Sequence, residues 1–286
     1  MPKGKALRVL VATDGSPHAR AAVNIVTKFP WPTGTSVRIV SARRTTGEYR
    51  RSILLSALDR SADAAAQSAR RTLSRRWPDV NVSVVDRAPV AAILAEAERF
   101  AADVIVIGWR GHGPVRRSLM GSVSRGVVRG AKCSVLVARR ALRVRRIVLG
   151  LNMAKHALTI LEKLEPPADG RVILLSAVQA MSVPSHGLVR VGAVSREVKR
   201  INATRAKAAH KELNRAARQL QRAGWRTRTL LTTGEPLNDL LGTVASSRAQ
   251  LLVVGARGSR GLRQLLLGSV AEGALNRSPV PVLIVR

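Results

Sequence analysis

The amino-acid sequence predicts an α/β protein of two doubly wound parallel sheets in tandem, and three observations carry that expectation. Short apolar runs alternate with longer amphipathic stretches along the chain, the pattern of parallel strands covered by helices on both faces. A length of 286 residues suits two domains, placed at residues 1–141 and 142–286. A glycine-rich segment is written twice: Gly108–Arg139 aligns without a gap to Gly255–Arg286, with 12 identities in 32 residues.

The elements follow in order. Arg8–Thr13 is an apolar run ending at the turn residues Asp14-Gly15-Ser16, so it reads as a buried strand; a helix follows from about Pro17 to Phe29. Val37–Ala42 is a second strand, Arg43–Arg51 a polar loop, and Ser52–Arg76 a long helix rich in Ala, Leu and Arg. Val80–Val85 makes the third strand. Pro89 opens a helix running to about Ala101, because its fixed φ and missing N–H suit a first helical turn. Val104–Ile107 is the fourth strand, Ser122–Gly130 a helix, and Val135–Ala138 the fifth strand.

The second half repeats this order. Arg146–Leu151 mirrors Arg8–Thr13, and Val172–Ala177 mirrors Val37–Ala42, including the shared Ser-Ala end. A long helix covers about Ala193–Ala223, then come the strand Arg226–Leu231, a helix opened by Pro236, and the strand Leu251–Val254. A helix from Ser269 and the strand Val282–Val285 complete the copy.

Composition bounds the function classes. Residues before 142 carry 25 basic and 9 acidic side chains and the rest carry 24 and 8, so each half contributes +16 to a net charge of +32. The excess belongs to both repeats and not to a disordered arm, and it attracts polyanions. No apolar run approaches the ~20 residues of a membrane span, and the first strand is too short for a signal-peptide core; the chain reads as soluble and cytoplasmic. Cys133 is the single cysteine and reads as a small buried residue.

The repeated segment falls where a doubly wound sheet holds ligands, at the carboxyl ends of its strands. Gly108 and Gly111 let the backbone take positive φ and approach an anion, and Gly121-Ser122 starts a helix whose free N–H groups favour phosphate, with the Ser122 hydroxyl adding a donor and also suiting an N-cap. Arg110, Arg116 and Arg117 add charge nearby, and His112 lies inside the loop. At the end of the first strand, Asp14 faces the same crevice. A carboxylate there suits base or ribose groups; capping of the first helix is the alternative role.

The Asp14-Gly15-Ser16 segment together with Gly108-x2-Gly111-x9-Gly121-Ser122 resembles the universal stress protein family, in its ATP-binding subclass and tandem form. The resemblance implies a Rossmann-like five-stranded sheet of order 3-2-1-4-5 in each half. It also implies pairing of the halves as a pseudo-dimer and binding of ATP, commonly with Mg²⁺. By the same resemblance Ala12, Thr13, Asp14 and Val40 contact the base side. Gly108, Arg110, Gly111, Gly121, Ser122 and Val123 line the ribose and phosphates. The second copy keeps Gly255, Arg257, Gly258, Gly268, Ser269 and Val270. It departs from the pattern at Asn152, Met153 and Ala154, which replace Asp14, Gly15 and Ser16, and at Gln250, which replaces Asp103. The first half is therefore expected to bind ATP more tightly.

A Walker A segment and a G-x-G-x-x-G turn are both absent, and the five histidines are scattered, without metal-ligand spacing. No nucleophile has an activating partner, so a nucleotide-dependent stress or signalling module is expected and not an enzyme, with slow ATP hydrolysis left open. The protein partner and any further homodimer are also left open. The alternative is a polyanion or nucleic-acid binder using Arg70-Arg71, Arg75-Arg76 and the run Arg196–Arg222. Aromatic residues at 2% leave little for base stacking.

Overall fold

A computed structural model describes residues 6–43, 53–111, 120–151, 155–181, 191–256 and 267–286. In the first half these residues form β1 (Arg8–Ala12), α1 (Pro17–Lys28), β2 (Ser36–Arg43), α2 (Ile53–Leu73), β3 (Asn81–Asp86), α3 (Pro89–Arg99), β4 (Val104–Gly108), α4 (Ser122–Gly130) and β5 (Ser134–Ala138). The second half has β6 (Arg146–Gly150), α5 (Lys155–Lys163), β7 (Arg171–Ala177), α6 (Val191–Arg222), β8 (Arg226–Thr232), α7 (Pro236–Ser247), β9 (Leu251–Gly255), α8 (Ser269–Arg277) and β10 (Val282–Val285).

Each half has the expected strand order, and the halves are not separate sheets. Their last strands pair, giving one ten-stranded sheet of order β3-β2-β1-β4-β5-β10-β9-β6-β7-β8. All neighbours are parallel except β5 and β10, which run antiparallel with Leu136 opposite Leu283 and Val137 opposite Val282. Each half would otherwise present an apolar edge strand with unpaired backbone groups; joining the two edges satisfies both.

Strand alternation sorts the core into two layers. Val9 and Val11 belong to the layer that α1, α2, α5 and α6 cover on one face, while Leu10 and Ala12 belong to the layer that α3, α4, α7 and α8 cover on the other. The strands read as continuous apolar runs because both faces are covered.

Several identities between the repeats serve this architecture. Arg139 follows β5 and donates to the carbonyls of Leu275 and Asn276 at the end of α8. Arg286 follows β10 and donates to those of Val128 and Arg129 at the end of α4. The two arginines thus cap helices across the junction reciprocally, where cations also suit the helix dipole. Gly126 and Gly273 let paired helices approach: a Cβ on Gly126 would stand 2.8 Å from Val90 Cγ2, and one on Gly273 would collide with Leu237.

The exchange of Asp103 for Gln250 is also structural. Asp103 accepts from the Arg8 N–H at 2.8 Å, and Gln250 accepts from the Arg146 N–H at 2.7 Å. Both sit at the amino ends of their strands, opposite the edge where the glycine segments lie. Reading this pair as a departure from the ligand pattern is corrected accordingly.

Candidate functional site

The first half holds a cavity of about 370 Å³ at the carboxyl ends of β1, β2 and β4. That volume lies within the range of small-molecule sites. All ten site residues expected in this half line it: Ala12, Thr13, Asp14 and Val40 on one side, and Gly108, Arg110, Gly111, Gly121, Ser122 and Val123 on the other. The topology explains the convergence, because β1 and β4 are neighbours at the switch point where the strand order reverses.

Local chemistry builds each wall. Gly15 takes φ +76° in the turn after β1, a conformation that a β-carbon disfavours. Asp14 Oδ1 accepts from the Ser16 N–H at 3.0 Å, and Ser16 caps α1 by accepting from Ala19 N–H at 3.2 Å. Asp14 therefore shapes the turn through one oxygen, while its Oδ2 lies against Gly111, where a Cβ would collide with it. The Ser16 hydroxyl donates to the Arg110 carbonyl, tying the two walls together.

Two expectations are corrected here. Gly108 and Gly111 do not take positive φ. Gly108 is needed for packing instead: a Cβ there would stand 2.6–2.8 Å from backbone atoms of His18 and Ala19. Nor is Ser122 a helix cap. Gly121 is the N-cap of α4, without a side-chain cap hydrogen bond, and Ser122 is the exposed first residue after it. The first turn of α4 thus presents its N–H groups and positive dipole end to the cavity.

Ser41, Ser61, Pro89, Ile93 and Ser124 also line the cavity and are not among the site residues expected from the sequence. Ser124 Oγ donates to the Gly108 carbonyl at 2.6 Å and pins α4 to β4. Ser41 Oγ is buried and has no hydrogen-bond partner in the structure described. The Ser-Ala end shared by β2 and β7 was its one visible signal.

The electrostatics favour an anion. The Arg110 guanidinium stacks on Trp109 at 4.1 Å, and Arg139 covers the same ring at 3.5 Å. Burial, then Arg110 and Arg140, lowers Arg139 to about 10. Burial, then Arg110 and Arg139, also pulls His18 below its ordinary 6.5, outweighing Asp14. The unfolded chain therefore takes up this proton first as pH falls. Stability contributed by neutral His18 is complete above 6.5 and is lost progressively between 6.5 and the lower folded value. A His18→Asn variant should show a shallower loss in that window, measured by urea unfolding; an unchanged pH slope would refute this. The Cys133 thiol is pushed up to about 11, first by burial, and is chemically quiet near neutral pH.

The second half keeps its helix start, with Gly268 as N-cap of α8 followed by Ser269 and Val270, and Gly255 ending β9. Arg257 and Gly258 lie outside the described residues, as do His112, Arg116, Arg117, Asn152, Met153 and Ala154. The wall opposite differs. Leu175 occupies the register of Val40, and Leu151 replaces Thr13 while keeping its backbone bond to β7. Leu240 stands at the place of Ile93 on α7 and packs 3.2 Å from where a Cβ on Gly150 would be. All three leucines are buried.

Among the described residues, no group of three or more His, Cys, Asp or Glu side chains could hold a metal ion, and no helix is long and apolar enough to cross a membrane. Fold and cavity together define a tandem doubly wound α/β protein with a small-molecule-sized crevice at the switch point of its first half. The universal stress protein family model matches residues 6–139 and again 144–286, and the chain belongs to that family. Universal stress protein Rv2005c of Mycobacterium tuberculosis is 31% identical over 202 residues, covering 65% of this chain and 62% of that protein. The chain thus spans less than two thirds of that relative's length. YxiE of Bacillus subtilis is 30% identical over 136 residues, covering 48% of this chain and 85% of that protein. A solved universal stress protein from Archaeoglobus fulgidus shares the fold with a TM-score of 0.66 at 17% identity, covering 98% of this chain and 96% of that one.

Proposed function

We propose that the first half, residues 1–141, binds ATP in this cavity as a nucleotide-dependent stress or signalling module. The second half, residues 142–286, acts as its structural partner. The observation that carries the reading is the convergence of all ten expected residues on one cavity. Apolar Val40, Ile93 and Ala12 offer a base a dry wall, and Asp14 offers it a hydrogen bond. Gly111, Gly121, Ser122 and the uncapped turn of α4 suit phosphates, with Arg110 beside them.

Mg²⁺ fits as an ion carried in by the phosphates. Asp14 is the single carboxylate among the described lining residues, and Mg²⁺ in nucleotide sites is held largely by phosphate oxygens and water. Binding without efficient turnover suits the same inventory, since Asp14 Oδ1 is already engaged by the Ser16 N–H. In the second half, buried Leu151 replaces Thr13 and removes a polar group from the side where a base would sit, which favours a structural role despite the retained helix start.

The test is mass spectrometry of ligand released from the denatured full chain, followed by ATP titration. One nucleotide per chain is expected, and none carried or taken up would overturn the reading. Asp14→Ala should weaken ATP about tenfold, the scale of one hydrogen bond to a charged group. Ser122→Ala should weaken it measurably while Ser269→Ala does not. Equal effects of the two serine variants would refute the assignment to the first half.

A further inference from the structure

We propose that the outer face of α6 binds double-stranded nucleic acid through its phosphates, without reading base sequence. The inner face of this helix is settled: Leu213, Ala216, Ala217 and Leu220 are buried in the layer over β7 and β8. At about 100° per residue, Arg196, Arg200, Lys207, Lys211, Arg215, Arg218 and Arg222 fall within a sector of about 100° directly opposite. All seven are exposed, and they follow one another at steps of three, four or seven residues. The ladder extends about 39 Å at 1.5 Å per residue.

The ladder is a property of this helix and not of the whole composition. Its counterpart α2 carries Arg60, Arg70 and Arg71 against Asp59 and Asp63, with no such row. Many other arginines serve the fold. Arg76, Arg139, Arg146 and Arg286 donate to backbone carbonyls, and Arg38 and Arg99 pair with the buried Glu96. On α6, Arg200 pairs with Glu197, whereas Lys207, Lys211, Arg215, Arg218 and Arg222 make no hydrogen bond or ion pair among the described residues. Like charges four residues apart repel and weaken a helix. A row of them lowers its own cost when a polyanion lies along it.

The chemistry selects the polyanion. α6 has no Phe, Tyr or Trp, so it offers single-stranded bases no stacking platform. Its apolar side is used in the core, leaving nothing to enter a bilayer as an interfacial helix would. A duplex presents closely spaced phosphates over the length of the ladder, which a straight row of long cationic side chains matches.

The experiment titrates the full chain into a labelled DNA duplex of arbitrary sequence, about 24 base pairs long, at several salt concentrations. Removing four rungs together (Lys207→Gln, Lys211→Gln, Arg215→Gln, Arg218→Gln) should lower affinity about 100-fold at physiological salt and reduce the salt slope by about 3 to 4. A control variant (Arg70→Gln, Arg71→Gln, Arg87→Gln, Arg143→Gln) removes the same charge from other exposed positions. It should lose less than about fivefold. The single variant Lys211→Gln, reducing the slope by about 1, keeps the test valid should the fourfold change unfold the helix. A single strand of the same length should bind more weakly. Equal losses in the two fourfold variants, no duplex binding by the full chain, or ladder-dependent binding to phosphatidylserine vesicles in preference to duplex would each overturn the proposal. ATP uptake is a separate readout and is unaffected by this outcome.

Discussion

Replacing Trp109 by alanine is expected to destabilise the chain by about 3–5 kcal/mol, the range for truncating a large buried aromatic side chain. Trp109 is 5% exposed and follows Gly108 at the edge of the cavity, yet its indole N–H donates to the Leu275 carbonyl in the second half at 2.8 Å. Arg139 lies on the ring and caps the same helix end, so the truncation removes a platform, a donor and packing volume at one point. The repeat places Ala256 at the equivalent position, so no symmetry-related tryptophan compensates. Urea unfolding measures the loss. Hydrogen exchange at β5 and β10 should show earlier opening than at β2 or β7, and a loss below about 1 kcal/mol would show that the ring does not join the halves.

Gly108→Ala is expected to cost about 1–3 kcal/mol, with ATP affinity falling in parallel. The added carbon would stand 2.6 Å from the His18 carbonyl carbon and 2.7 Å from the Ala19 nitrogen. These are backbone atoms, so no side-chain rotation relieves the contact. Either α1 retreats from the sheet or β4 shifts, and both movements displace a cavity wall, since Ala19 and Gly108 line it. Calorimetric melting and ATP titration of the same variant test the coupling. Wild-type stability would show that α1 yields without strain.

Most of the secondary structure was legible because periodicity is local. RVLVA, VIVIG and SVLVA are continuous apolar runs, as strands buried on both faces must be, and Pro89 and Pro236 mark helix starts on either reading. Doubly wound topology made it legible that Asp14 and the glycine segment share a crevice, because the carboxyl ends of β1 and β4 are neighbours; the full set of ten cavity residues came from the family resemblance. What the glycine segment meant residue by residue was not legible. Gly121, Ser122 and Val123 line the cavity, but Gly126 and Gly273 make room for helix neighbours, and Arg139 and Arg286 cap helices across the junction. An identity between repeats reports that a position is constrained, and a ligand and a packing contact constrain it alike.

The sequence by itself determined the alternation of strands and helices, the duplication, and the loss of the strand-end acid in the second copy. Tertiary structure alone decided three further matters. It made the pairing of halves that the resemblance implied into one continuous sheet, antiparallel at β5 and β10. It placed Asp103 and Gln250 at the edge away from the cavity. It buried Leu151, Leu175 and Leu240 at the second-half positions of Thr13, Val40 and Ile93. Each of these depends on residues from different elements meeting in space, and a contact between distant segments leaves no periodic trace along the chain.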